Sequence, residues 1–151
     1  MDSKRDKKPE KAMELDKINP HETPKNGKQF NNRELGNFGE NEACRYLERR
    51  GYLILDRNFR VGRLGELDII ASNQETLCFI EVKTRKNLRF GTPAEAVTAR
   101  KVRVIRMLSQ IYLQKHKMHD THIRFDILEI YISTSRTSPL IKRMNHIENA
   151  F

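Results

Sequence analysis

Two short apolar segments separated by a short polar stretch constrain the fold of this chain more than any other feature. The segments LDIIA and LCFIEV are too short for helices and contain β-branched and aromatic residues typical of strands. The polar sequence NQE between them favours a hairpin with a tight turn. The sequence therefore predicts two adjacent antiparallel strands, over residues 65–72 and 77–84.

The register of this hairpin decides which polar side chains meet. If residues 74–75 form a two-residue loop, Asp68 lies opposite Glu81 and Glu66 lies opposite Lys83. Side chains two residues apart share a face of a sheet, so all four polar groups gather on one face at one end of the hairpin. A shift of one residue would scatter them.

Two opposed carboxylates in apolar strands indicate a bound cation. Asp68 and Glu81 would repel each other and lose hydration unless a positive ion lay between them. Carboxylate oxygens select hard ions such as Mg²⁺ or Mn²⁺. Lys83 would hold a water or a phosphate oxygen beside the metal, which suits phosphodiester hydrolysis. The alternative is ordinary ion pairing of Lys83 with Asp68 or Glu66 at an exposed end of the sheet.

The spacing of apolar residues predicts helices and strands in the order α-β-β-β-α-β. A capping box of Thr92 and Glu95, with Pro93 at the first helical position, predicts the start of the second helix, whose buried stripe includes Val97. The predicted elements are a helix over 34–50, strands over 52–60, 65–72 and 77–84, a helix from 92 to about 117, and a strand over 121–132.

Glu40 lies on the apolar stripe of the first predicted helix. It precedes Ala43, Cys44 and Leu47 by three, four and seven residues, so it faces or borders the core. A buried acid needs a partner. Glu40 is either a further ligand of the same metal, directly or through water, or a glutamate stabilised by the dipole at the helix N-terminus.

The chain carries an excess of positive charge. It has 29 Lys and Arg against 20 Asp and Glu, and this net charge of +9 favours nucleic acid or a membrane surface as partner. No apolar run approaches the roughly 20 residues that span a bilayer, so we predict no membrane association. The two cysteines lie in apolar segments without a zinc-ligand pattern, which is typical of a cytoplasmic protein.

Composition divides the chain into a tail, one domain and an extension. Residues 1–33 combine prolines and mixed charges with few large apolar side chains, so we predict a disordered tail. The tail is either a basic arm that touches a polyanion or a solvated extension. Residues 34–135 are predicted to form the domain, and residues 136–151 a C-terminal extension.

Several motifs follow one another along the chain: NFGENEACRYLERRGYLILDRNFR, GRLGELDIIA, LCFIEVKTR, FGTPAEAV and RFDILEI. Over residues 37–130 they resemble the bacterial UPF0102, or YraN-like, family. That family is similar to Holliday-junction resolvases of the PD-(D/E)xK nuclease superfamily. The resemblance implies an α/β fold with a restriction-endonuclease-like αβββαβ core, in which helices flank a mixed sheet.

The resemblance also implies a role for each matching residue. Asp68 and Glu81 would bind Mg²⁺ or Mn²⁺, and Glu40 matches the first-helix acid of resolvase-like members. Lys83 would position or polarise the attacking water. Glu66 either joins the metal site or pairs with Lys83.

Basic residues around this site suit a nucleic acid, with DNA as the first expectation. We predict that they contact backbone phosphates; the alternative for each of them is a solvated helix face. They are Arg85, Lys86, Arg89, Arg100, Lys101 and Arg103.

The sequence thus predicts a metal-dependent DNA endonuclease, with branched or damaged DNA as candidate substrates. One alternative is a nucleic-acid-binding protein that retains the nuclease fold and does not cut. Another is a basic protein that binds an acidic partner protein. A symmetric junction substrate would favour a homodimer, although no residue of the chain establishes one.

Overall fold

One five-stranded sheet with a helix on each face forms the computed structural model of this chain, which describes residues 29–86, 97–135 and 138–151. The predicted α/β order αβββαβ is confirmed, and a further strand follows it. Most of the predicted tail lies outside the described residues. The elements are α1 (Asn32–Arg49), β1 (Leu53–Arg60), β2 (Glu66–Asn73), β3 (Thr76–Arg85), α2 (Ala99–Lys115), β4 (His122–Thr134) and β5 (Pro139–Ile147).

Helix α1 has well-defined ends. Asn31 caps it by accepting a hydrogen bond from the Glu34 N–H at 2.9 Å, and the Glu34 side chain accepts in return from the Asn31 N–H. This reciprocal pair satisfies two backbone donors that would otherwise lack partners. After the helix, Gly51 adopts a φ of +83°, a left-handed conformation that favours glycine.

The sheet is mixed, with strands in the order β1-β2-β3-β4-β5. Strands β1, β2 and β3 are antiparallel neighbours, β3 and β4 are parallel, and β5 is antiparallel to β4. The parallel pair requires a long connection, and that connection contains α2. The edge strand β5 lies within the predicted C-terminal extension. This part of the extension is therefore one of the strands of the sheet.

The predicted hairpin register is confirmed, and the two strands separate beyond it. Asn73 pairs with Thr76 and Ile69 pairs with Ile80, which leaves a two-residue loop. Beyond these pairs β2 continues beside β1, while β3 continues beside β4. A gap therefore opens between β2 and β3 where Asp68 and the residues after Ile80 lie.

Each helix covers its own hydrophobic core on one face of the sheet. The α1 face includes Leu47, Ile69 and Ile80, and the α2 face includes Phe79 and Leu108. The sheet is thus buried on both sides, which explains why β2 and β3 are continuously apolar rather than alternating. Neither helix in the described part of the chain combines the length and apolar character that crossing a membrane requires.

The start of α2 differs from the prediction. The predicted capping residues 92–95 lie outside the described part of the chain, but Val97 and Thr98 precede the helix. Thr98 is extended and its side chain accepts a hydrogen bond from the Lys101 N–H at 3.3 Å. The prediction of a helix that runs through Val97 is therefore wrong. The Thr98 hydroxyl caps the N-terminus of α2, so the helix begins after this residue. The predicted end of α2 is correct to within two residues.

The packing of α1 on β3 depends on Gly39, which yields a stability prediction. A Cβ at Gly39 would overlap Thr84 Oγ1 and lie 3.1 Å from Thr84 Cβ. Thr84 Cγ2 would lie 3.3 Å away, so the added Cβ is crowded by several atoms of this side chain. We expect Gly39→Ala to lower the free energy of unfolding by about 1–3 kcal/mol, as measured by urea denaturation.

Gly36 in the same helix provides the matched control. A Cβ there meets no atom within 4 Å, so only the better helix propensity of alanine acts. Gly36→Ala should stabilise the protein by about 0.5–1 kcal/mol. Equal effects of the two substitutions would show that helix propensity, and not contact with Thr84, governs both positions. Adding Thr84→Ala to Gly39→Ala should recover part of the loss.

Candidate active site

The gap between β2 and β3 holds a buried carboxyl group. Asp68 is 9% exposed, and its Oδ2 accepts a hydrogen bond from the Val82 N–H at 2.8 Å. This side-chain bond takes the place of a backbone bond between the two strands. The divergence of β2 and β3 therefore positions Asp68, because its carboxyl satisfies a β3 donor that β2 no longer reaches.

Glu81 on β3 is the second buried carboxylate of the site. Its side chain is 2% exposed, and its Oε1 pairs with the ammonium of Lys83. The ammonium of Lys101, on α2, lies 3.0 Å from Oε2. This ion pair lacks hydrogen-bond geometry, so Oε2 is a buried oxygen with no hydrogen-bond partner. Such an oxygen can accept a hydrogen bond or bind a metal in competition with the Lys101 ammonium.

The two carboxyl groups interact electrostatically. Burial, followed by the nearby negative charge of Glu81, raises the pKa of Asp68 to about 7. The Val82 N–H and the ammonium groups of Lys101 and Lys83 oppose this increase. Both acids thus lie within the field of the same two lysines, as a shared site requires.

Glu66 lies beside β1 and not beside Lys83. It is paired in the sheet with Arg60, and the two side chains form an ion pair. The predicted pairing of Glu66 with Lys83 is therefore wrong, because β2 and β3 have separated before reaching these residues. Lys83 instead pairs with Glu81 on its own strand.

Glu40 lies apart from the two buried acids. It is half-buried on α1 and lines a pocket of about 520 Å³ together with Val82, Thr84, Arg85 and Lys86. Within residues 29–86, 97–135 and 138–151, no three His, Cys, Asp or Glu side chains are arranged to hold one metal. The structure therefore does not bring Glu40 together with Asp68 and Glu81, and its role as a ligand stays a prediction.

The chemistry of this donor set fits a divalent cation. Asp68 and Glu81 contribute carboxylate oxygens from adjacent strands, and one buried oxygen of Glu81 has no hydrogen bond. Mg²⁺ commonly binds through one or two carboxylates, with water and phosphate oxygens completing its coordination. A cation between the two groups would also remove their mutual repulsion.

The predicted phosphate-binding residues occupy three places. Arg85 and Lys86 line the Glu40 pocket, and Arg89 lies outside the described residues. Arg100 and Arg103 are exposed on α2, where a spacing of three residues places them on one side of the helix.

Lys101 reaches inward to Glu81, and its contact with a phosphate stays a prediction. Its Nζ also donates to the Glu66 carbonyl oxygen at 3.4 Å. The sequence contained a signal for this position, because Lys101 precedes the buried Ile105 and Leu108 by four and seven residues. A lysine on the apolar face of a helix needs a buried anionic partner. For Lys101 this partner is Glu81 on β3.

A further buried acid, to which sequence analysis assigned no role, lies elsewhere in the sheet. Asp126 on β4 is fully buried and accepts hydrogen bonds from Arg124 at 2.9 Å and from the Asn149 N–H at 2.9 Å. His146 Nε2 lies 2.9 Å from Asp126 Oδ2. Burial alone would raise the pKa of Asp126, but the hydrogen bonds of His146 and Arg124 outweigh it and lower the pKa. This network joins β4 to β5 and is structural.

Comparison with known proteins identifies the family. The model of the uncharacterised protein family UPF0102 matches residues 39–130. A UPF0102 protein of Acetivibrio thermocellus is 43% identical over 125 residues, covering 83% of this chain and 96% of that protein. UPF0102 proteins of Caldicellulosiruptor saccharolyticus and Clostridioides difficile are 44% and 43% identical over 122 residues, covering 81% of this chain and the whole of each relative. The chain therefore belongs to the uncharacterised protein family UPF0102.

Proposed function

We propose that this protein is a metal-dependent endonuclease that hydrolyses phosphodiester bonds in DNA. The observation that carries the proposal is the burial of Asp68 against Glu81, with Lys83 beside them, where β2 and β3 separate. Burying two interacting carboxyl groups at this position costs stability, which favours a functional role for them.

Each residue of the site has a distinct task in this proposal. Asp68 and Glu81 would hold Mg²⁺ or Mn²⁺, which when bound supplies Lewis acidity toward a phosphate oxygen and an activated water. Lys83 reaches Glu81 Oε1, so its ammonium stands where it can hold the attacking water or a non-bridging phosphate oxygen. Water adds to phosphorus and the bond to one ester oxygen breaks, which leaves a phosphomonoester and a hydroxyl group.

The basic surface supports nucleic acid as the substrate. The exposed guanidinium groups of Arg100 and Arg103 project from the same helix whose Lys101 reaches the acidic site. Contacts from such groups to the phosphate backbone give affinity without reading sequence. Branched or damaged DNA is the substrate class that the family resemblance favours, and the cytoplasm is the compartment that the two free, buried cysteines favour.

Metal-dependent cleavage is the direct test. The wild-type protein is incubated with linear duplex, single-stranded and four-way-junction DNA, in Mg²⁺, in Mn²⁺ or in EDTA. We expect cleavage of at least one substrate in either metal and none in EDTA. Lys83→Met should reduce the rate about 100-fold or more, because a group that positions the water or phosphate is lost.

Lys142→Met is the matched control. Lys142 is exposed on the edge strand β5, which is separated from β2 by β3 and β4. It removes the same charge and should leave the rate within about twofold of wild type. Cleavage that persists in EDTA or in Lys83→Met would indicate a contaminating nuclease. Binding of DNA without cleavage of any substrate would favour the alternative, a nucleic-acid-binding protein that retains the fold.

A further inference from the structure

An open pocket of about 480 Å³ adjoins the acidic site on the side of β1. It lies between the loop that joins β1 to β2 and the first turn of α2, and sequence reasoning assigned no role to that loop. Three cationic side chains line it together with one carboxylate. These residues are Arg60, Arg63, Lys101 and Glu66.

The loop that forms this pocket is fixed against α2. The Leu64 N–H donates to the Val61 carbonyl oxygen at 3.0 Å, which closes a tight turn. Gly65 has a φ of +136° and packs so closely on α2 that a Cβ would lie 3.0 Å from Val104 Cγ1. The backbone at Arg63 is therefore held in place, and the exposed Arg63 side chain extends from it.

The pocket and the acidic site share Lys101. Its ammonium lies 3.0 Å from Glu81 Oε2 and also lines the pocket. Glu66 is ion-paired with Arg60 and Glu81 with Lys101, so Arg63 gives the pocket its net positive charge. An anion bound there would lie next to the group held by Asp68 and Glu81.

We propose that this pocket binds a backbone phosphate of the nucleic acid, next along the strand from the phosphate that is cut, with Arg63 as its principal contact. The inference rests on the proposed function and specifies where the substrate strand runs: from the β1–β2 loop across the start of α2. The ligand is a phosphodiester of the strand, because neighbouring phosphates repeat along one backbone and no base-reading geometry is needed.

The test is a DNA-binding titration in EDTA, in which cleavage is absent. Fluorescence anisotropy of a labelled duplex is followed at several salt concentrations for the wild type and for three variants. Arg63→Gln should lower the dependence of log affinity on log salt by about 0.9, which is about eightfold in affinity near 0.1 M salt. Glu66→Gln should change affinity in the opposite direction, because it frees Arg60 and removes a repelling charge.

Arg49→Gln is the matched control, because Arg49 is exposed on α1, which covers the opposite face of the sheet from α2. It should retain wild-type affinity and salt dependence. Thermal melting of each variant verifies folding. If the wild type binds DNA but Arg63→Gln matches Arg49→Gln, or if Glu66→Gln weakens binding, the pocket assignment is wrong while the proposed function stands. A wild-type protein that does not bind DNA would overturn both.

Discussion

Replacing Asp68 with Asn should abolish metal-dependent cleavage and, at about pH 8, make the folded protein more stable. The rate should fall at least about 100-fold, because a metal ligand that contributes several kcal/mol to the transition state is lost. The asparagine amide keeps an oxygen that can accept the hydrogen bond of the Val82 N–H. It carries no negative charge next to Glu81, so the free energy of unfolding should rise. We expect the free energy of unfolding to increase by about 2 kcal/mol. The upper limit is about 4 kcal/mol, which corresponds to the difference between a pKa of about 7 in the fold and the ordinary pKa of an aspartate.

The pH dependence of this gain follows from the raised pKa of Asp68, which burial and then the charge of Glu81 bring to about 7. Below about pH 3 the carboxyl is protonated in both the folded and the unfolded chain and makes no difference. As the pH rises from about 4 to 7, the unfolded chain releases the proton first, so the wild type loses stability over this range. Asp68→Asn should not show this loss.

Urea denaturation at about pH 5 and pH 8 measures both effects, with Asp120→Asn as the control. Asp120 is exposed in the segment after α2, so its replacement should change stability by less than about 0.5 kcal/mol at either pH. Mg²⁺ should raise the melting temperature of the wild type and leave that of Asp68→Asn unchanged. An Asp68→Asn protein that still cuts, or that is less stable at both pH values, would contradict the assignment.

Replacing Asp126 with Asn should destabilise the fold by about 3–5 kcal/mol without any direct effect on the acidic site. Asp126 is fully buried, forms an ion pair with Arg124 and lies 2.9 Å from His146 Nε2, and both partner side chains are largely buried. Removing one partner of a buried network leaves the other charges without compensation. We expect a large decrease in the midpoint of urea unfolding, with residual cleavage activity in the fraction that remains folded.

The low pKa of Asp126 also predicts an acid limit to stability. In the folded protein the Asp126 carboxyl stays charged at pH values where the unfolded chain is already protonated. Its charge therefore stabilises the fold above about pH 4. This stabilisation is lost as the pH falls through the folded pKa. Glu148→Gln is the control. Glu148 is more than half exposed and pairs with the same Arg124, so its loss should cost no more than about 1 kcal/mol. Similar losses for both variants would argue against a buried network.

Local sequence signals predicted most of the fold. The apolar strands and polar turn gave the hairpin and its register, and the spacing of apolar residues gave both helices, because these features depend on neighbours along the chain. The start of α2 was wrong, since the hydroxyl of Thr98 competes with continued helix. Strand β5 carried no strong signal, because it is an edge strand whose pattern is set by its pairing with β4.

The sequence by itself determined that Asp68, Glu81 and Lys83 lie on neighbouring strands at one end of the hairpin. Only the tertiary structure decided which groups surround them. Because β2 separates from β3, Glu66 pairs with Arg60 on β1. The packing of α2 on the sheet places Lys101 beside Glu81. The physical reason is that alternation along a strand fixes which face a side chain occupies, whereas partners from distant segments are set by how the helices and sheet pack.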